Sequence, residues 1–216
     1  MSEPESKGGS TKLGYLLKNT GVLAIGNFAS KILVFLMLPL YTAVLSTAEY
    51  GSYDIIFSSV SLLVPILTLN ISEALVRFPL EDNPDIHGLI RISGVVLFAS
   101  TFIVLIGQLI PGTPWSNFPG SEYIAVFYFS TAIFQMATQF ARGEEDFAGV
   151  AIAGLLGTII TLGLNLSLLL ALKLGLDGFF IANILGMLLP SIYLIIRHWD
   201  DFAAKSTEQK SSKLAW

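Results

Sequence analysis

A single lysine, Lys31, interrupts the apolar run "NFASKILVFLMLPLY" at residues 27–41. It stands 13 residues after Lys18 and 18 before Glu49, too deep to reach either end of the run easily. At roughly 100° per residue, Thr20, Asn27 and Lys31 fall within about 40° of one another on a helix. A charge at the centre of a bilayer costs at least about 2.5–3.5 kcal/mol on insertion scales. Two roles are open to this lysine. One is an ion pair with a carboxylate that fixes helix packing; the other is a cation facing a water-filled cavity that receives an anionic substrate.

Other polar side chains repeat the pattern. Asp54, Ser58, Ser61, Pro65, Thr68 and Ser72 lie within about 40° of the direction of Asp54 if one helix carries them all. Serine and threonine also join helices in membranes, but Asp54 turns the reading towards a hydrated path, or an ion or proton site. Glu73 and Arg77 are spaced i,i+4 in the favourable order, either as local stabilisation or as an inner gate. Thr131, Gln135, Thr138 and Arg142 make a further stripe, with Gln139 on its shoulder. Unmet hydrogen bonds of long amides are costly in lipid. Ser93, Ser100 and Gln108, and Thr158, Thr161 and Asn165, are weaker versions. The substrate-binding candidates are therefore Lys31, Asn27, Asp54, Ser58 and Ser61, and the gate or cavity candidates Glu73, Arg77, Gln135 and Arg142. The spacings from Ala153 to Gly157, and from Gly175 through Gly178 to Ala182, read as close helix contacts.

The elements that would position these residues follow from composition. Of 216 residues, 53% are hydrophobic and 13% charged, against about 25% charged in soluble domains, and the mean hydropathy is +0.70. A bilayer is the natural solvent for such a chain. A crossing helix needs about 20 apolar residues, and six stretches qualify: roughly 19–45, 51–77, 88–110, 121–142, 147–172 and 175–196. The expected fold is an all-α integral membrane bundle of six helices at residues 19–196. A polar leader, 1–18, precedes it and a polar tail, 197–216, follows. The first run is far longer than a signal-peptide core and leads straight into further spans, so it reads as an uncleaved helix.

Placing the N-terminus in the cytoplasm puts Lys7, Lys12, Lys18, Arg77, Arg91, Arg142, Arg197, Lys205, Lys210 and Lys213 on that side. Lys173 alone falls in a far-side loop, and Lys31 lies in the membrane. That asymmetry predicts both termini to be cytoplasmic. Pro39 and Pro65 are expected to kink their helices.

The sequence lacks the usual signs of an enzyme. It has no cysteine, and His87 and His198 are too far apart to give a metal-ligand spacing. There is no Gly-x-Ser-x-Gly, His-Glu-x-x-His or P-loop. No catalytic residue, metal or cofactor is expected. The carboxylates of "EDNPD" and "GEED" read as solvated loop charge. A net charge of −4 without a basic patch speaks against nucleic acid as a partner.

The stretch "LKNTGVLAIGNFASKILVFLMLPLYTAVLSTAEYGSYDIIFSSVSLLVPILTLNISEALVRF" resembles the opening of oligosaccharide flippases of the polysaccharide transporter family. These belong to the multidrug/oligosaccharidyl-lipid/polysaccharide exporter superfamily. The likeness includes the leading "LKNT", the lysine of "NFASK", "PLYTAVLSTAEYGSYD" and "LLVPILTLNISEALVRF". The "ARG" after the fourth span and "LGLDGFFIAN" entering the sixth agree more weakly. It covers essentially residues 16–196.

The resemblance implies a multi-pass protein of a bacterial or archaeal cytoplasmic membrane. Its task would be to move undecaprenyl-pyrophosphate-linked oligosaccharide to the outer leaflet, for O-antigen and related cell-envelope polymers, by alternating access of two six-helix lobes. Lys31 would face the pyrophosphate, and Asn27, Asp54, Ser58 and Ser61 the sugar hydroxyls. Family members carry at least twice the six spans read here, so the expectation is one lobe. It would be either the front part of a longer product or a half-transporter pairing with another chain, with truncation favoured over a homodimer. The implied partners are the lipid-linked oligosaccharide, membrane lipids and a second lobe. The competing readings are a multidrug or lipid II exporter, and a non-transporting or truncated partner of a polysaccharide assembly complex.

Overall fold

The computed structural model describes Phe35, Pro39 and residues 41–81, 85–112 and 119–199. Lys31 and Asn27, and most of the first predicted span, lie outside the described residues, as does the tail from residue 200. All regular structure among the described residues is helical.

The first complete helix, α1 (Thr47–Leu67), begins at a capping box. Glu49 N–H donates to the Ser46 hydroxyl, while the Glu49 carboxylate accepts from the Ser46 N–H at 2.8 Å, so two orphan donors of the first turn are satisfied at once. The box lies within "STAEYGSYD", so the helix starts four residues before the run read as 51–77. That run is not one span. Pro65 has no N–H to donate into the helix, and the chain leaves α1 at Leu67. Leu69 and Asn70 both take positive φ, 51° and 52°, and the Asn70 N–H closes the turn on the Pro65 carbonyl at 2.9 Å. Asparagine tolerates this conformation better than most residues. A separate short helix, α2 (Ile71–Arg77), follows, then a 3₁₀ turn at Phe78–Leu80.

The Asp85 carboxylate caps α3 (Ile86–Leu109) on the Gly88 N–H at 2.9 Å. A 3₁₀ turn, Ser121–Tyr123, leads into α4 (Ile124–Gly143). Asp146 caps α5 (Phe147–Asn165), which runs on as a π-helical stretch, Leu166–Ala171. The last helix is α6 (Gly175–Arg197). Five helical segments are long and apolar enough to cross a membrane: Thr47–Leu67, Ile86–Leu109, Ser121–Gly143, Phe147–Ala171 and Gly175–Arg197. The molecule is an all-α membrane bundle.

Its axis is α4, which touches α1, α2, α3, α5 and α6 and is more than half buried, whereas α1, α3 and α5 are each less than a third buried. The core around it contains Phe127, Tyr128, Val60, Val104 and Phe180. Towards the Ser46 end an aromatic cluster joins the elements: Tyr53 meets Phe179 edge-on at 4.3 Å, and Phe179 meets Tyr41 at 4.6 Å. The α5–α6 contact is the most extensive. A Cβ at Gly157 would stand 2.7 Å from the Gly186 carbonyl oxygen, so only hydrogen fits where these backbones cross, as in other small-residue membrane contacts.

Candidate functional site

The bundle sorts the predicted polar residues into two sets. Asp54, Ser58 and Ser61 are exposed on α1, turned away from the face that buries Ser52, Ile56, Val60 and Val64. Ser61 satisfies its hydroxyl on the Phe57 carbonyl at 2.8 Å. Thr68 and Ser72, read as the same seam, are buried. Thr68 closes α1 and Ser72 lies on α2, beyond the break at Leu69–Asn70, so of the six residues three stay exposed, Pro65 is half-buried and two are packed inside.

The second set comes together. Along α4, Gln135 donates to the Ser72 hydroxyl of α2 at 3.3 Å, and Ser72 in turn donates to the Asn70 side-chain oxygen at 3.3 Å. One turn further on, the Gln139 amide reaches the Glu73 carboxylate at 3.5 Å, while its oxygen accepts from Arg142 at 2.8 Å. Three gate candidates, Glu73, Gln135 and Arg142, thus share one ladder between α2 and α4. Gln139, which the sequence left on the shoulder of the stripe, is the rung joining the carboxylate to the guanidinium. Arg77 does not join: it is exposed, and among the described residues no ion pair links it to Glu73. The i,i+4 pair read from spacing gives way to a contact between helices.

Close backbone packing holds the ladder in register. A Cβ on Gly143 would lie 2.4 Å from the Leu75 carbonyl oxygen and 3.1 Å from that of Val76. The end of α2 therefore rests directly on the end of α4. The Arg142 Nε is buried without a hydrogen-bond partner among the described residues, and no carboxylate there pairs with its guanidinium. Such an unmatched cation beside amides and hydroxyls suits an anionic or polyhydroxylated ligand. Thr131, higher on the stripe, bonds to the Phe127 carbonyl at 2.7 Å and contacts the Met187 sulfur of α6 at 3.4 Å.

Two further polar groups have structural roles. Gln108 accepts from the Ala125 N–H and donates to the Glu122 carbonyl, each at 3.1 Å, capping the start of α4 from the end of α3. Asp146 is not solvated charge. Besides capping α5 on the Gly149 N–H at 2.9 Å, it pairs with Arg197 and lies 3.3 Å from His198 at the end of α6. Burial raises its carboxyl pKa, but the Arg197 hydrogen bond, the Gly149 N–H and the charges of Arg197 and His198 outweigh this and hold it below the ordinary carboxylate range. The signal was present in the sequence, as an acidic residue directly before an apolar run.

Among the described residues no group of histidines and carboxylates is placed to hold a metal. A family model described as "polysaccharide biosynthesis protein" matches residues 16–208. No curated protein and no solved structure matches the chain.

Proposed function

The chain belongs to the polysaccharide biosynthesis protein family, and from that premise we propose that it moves undecaprenyl-pyrophosphate-linked oligosaccharide across a bacterial or archaeal cytoplasmic membrane, acting as a transporter and not as an enzyme. The observation that carries this reading is the ladder from Asn70 and Ser72 through Gln135 to Glu73, Gln139 and Arg142. It is a run of amide, hydroxyl, carboxylate and guanidinium groups where α2 meets α4, exposed at Asn70 and Glu73 and half-buried at Gln135, Gln139 and Arg142, beside a core packed by apolar side chains. Polar groups at membrane depth cost free energy that a purely structural helix avoids, and sugars and phosphates are the ligands that use them.

In this reading Arg142, at the end of α4, meets the headgroup first, and Lys31 with Asn27 holds it deeper in the membrane. Asp54, Ser58 and Ser61 face outward from the described bundle, where a second lobe would complete the cavity. Alternating access then rocks one lobe against the other, whether the second lobe lies on the same polypeptide or on a partner. The break at Leu69–Asn70 lets α2 open from α4 at one end of the path.

The test is to delete the gene in its native host and follow the lipid-linked oligosaccharide in each leaflet. Accumulation in the cytoplasmic leaflet, reversed by the wild-type gene and not by Lys31→Ala, is the expected result. Normal export in the deletion strain would overturn the transport reading. Full rescue by Lys31→Ala would remove Lys31 from the site.

A further inference from the structure

Leu69 and Asn70, which part α1 from α2, make a helix end that their side chains do not favour. The Leu69 N–H bonds to the Ile66 carbonyl at 3.3 Å and the Asn70 N–H to that of Pro65 at 2.9 Å, the paired bonds of a Schellman end. Glycine is the usual residue at the left-handed position of such an end. Here it is a leucine, at φ 51°, whose Cβ disfavours that conformation by roughly fivefold to thirtyfold. The Leu69 side chain is 85% exposed, so it gains no packing among the described residues to offset the strain.

What holds the chain in this shape is the seat of α2 on α4. The seat consists of the close backbone approach at Gly143 and two hydrogen bonds at the long end of the range, Gln135 to Ser72 at 3.3 Å and Gln139 to Glu73 at 3.5 Å. The side-chain pattern suits a straight chain as well. Val64, Thr68, Ser72 and Leu75 are all buried, and on one unbroken helix they would fall within about 80° of one another. Nor is α2 needed to cross the membrane. The 21 residues of α1 are about 31 Å long, enough for about 30 Å of hydrocarbon. Strain at Leu69 and the seat on α4 therefore oppose each other.

We propose that Leu69–Asn70 is a two-state joint. In the bent state described here, α2 is seated on α4. In the other, Leu69 and Asn70 turn to the right-handed region and residues 47–77 run as one helix. That change lifts α2 from Gly143, parts Ser72 from Gln135 and Glu73 from Gln139, and uncovers the polar side of α4 up to Arg142. The role of this joint as a gate rests on the transport reading; its two states do not.

The chain has no cysteine, so spin labels attach only where cysteines are introduced. Ile55→Cys on α1 and Arg77→Cys on α2, both at exposed positions, are labelled in the full chain in nanodiscs, and their separation is read by double electron–electron resonance. One helix sets the two Cα atoms about 33 Å apart at 1.5 Å per residue; the bent joint sets them closer. Gly143→Ala, which crowds the seat, should enlarge the 33 Å population, and Gln135→Leu, a milder release, should do so to a smaller extent. Leu69→Gly, which relieves the strain and weakens a straight helix, should cut that population at least roughly fivefold in either background. Leu69→Ala keeps the Cβ and should not. The absence of a 33 Å population from both Gly143→Ala and Gln135→Leu would overturn the proposal. So would its indifference to Leu69→Gly, or an equal loss with Leu69→Ala. Export is followed in parallel and should slow in Leu69→Gly. A shifted joint with export at the wild-type rate would overturn the gate and leave the transport reading standing, whereas loss of the transport reading would leave the distances as they are.

Discussion

Replacing Asp146 tests how the α4–α5 connection and the end of α6 are held. Asp146→Ala removes the cap on α5, worth about 1 kcal/mol. It also removes the pair with Arg197. The Arg197 side chain is 42% exposed and that of Asp146 14%, so solvent screening limits that pair to about 0.2–1 kcal/mol. The sum, roughly 1–2 kcal/mol, corresponds to a Tm lower by about 2–8 °C for a chain of this size. Asp146→Asn separates the two parts, since asparagine caps as well as aspartate but brings no charge; it should lose only the smaller share. The pH dependence has a definite sign. A carboxyl held below its ordinary value contributes stability that is complete above that value, about 3.9, and lost as pH falls through the folded-state pKa. Below pH 4 the wild-type advantage over Asp146→Asn should shrink. The assay is thermal unfolding in detergent, followed by helical circular dichroism across that pH range. A Tm unchanged in Asp146→Ala, or an advantage that grows on acidification below pH 4, would refute the reasoning.

The other predictions concern the ladder and its support. Gly143→Ala gains about 1 kcal/mol of helix propensity but drives a Cβ against two carbonyl oxygens of α2 that cannot yield. A net loss of about 1–2 kcal/mol is expected from overpacking, read as a lower Tm, together with faster proteolysis between α1 and α3. Gln135→Leu removes one long hydrogen bond to Ser72, worth about 0.6 kcal/mol in a membrane bundle. Its Tm should fall by about 1–2 °C while transport falls much further; parallel small losses would make the residue structural. Arg142→Gln should leave Tm within about 2 °C and reduce transport, whereas Arg77→Gln should change neither.

How much of this was legible in the sequence depended on whether one helix or two decided the matter. The long apolar runs and their polar breaks place the helices, because the cost of an unpaired backbone in lipid leaves few alternatives. Projection of Asp54 through Ser72 onto one wheel assumed an unbroken axis. Pro65 hinted at the break, but Leu69 at φ 51° is a conformation that packing imposes and leucine does not advertise. The α4 stripe was visible as periodicity. Its partners were not, since nothing local says that Gln139 turns to Glu73 or that Gln108 reaches back to cap α4. Glu144 and Glu145 are exposed, as a charged loop predicts, while Asp146, next in line, is recruited by α5 and by Arg197. The lysine that first drew the eye lies outside the described residues, so its place rests on sequence and resemblance alone.

The central position of α4 also bears on how the protein is made. The helix with the most buried surface is, with α1, among the least apolar of the five, because it carries Gln135, Gln139 and Arg142. Alone in lipid it would expose those amides and that guanidinium, and a translocon would release it reluctantly. Its partners lie on both sides of it in the chain, with α1 to α3 before and α5 and α6 after. Ribosome and translocon must therefore keep α4 near the lateral exit until the closely crossed α5–α6 pair emerges to enclose it. The polar face of α4 is then also what couples the biogenesis of the bundle into one step, with α4 entering the bilayer together with its neighbours and not as a single helix.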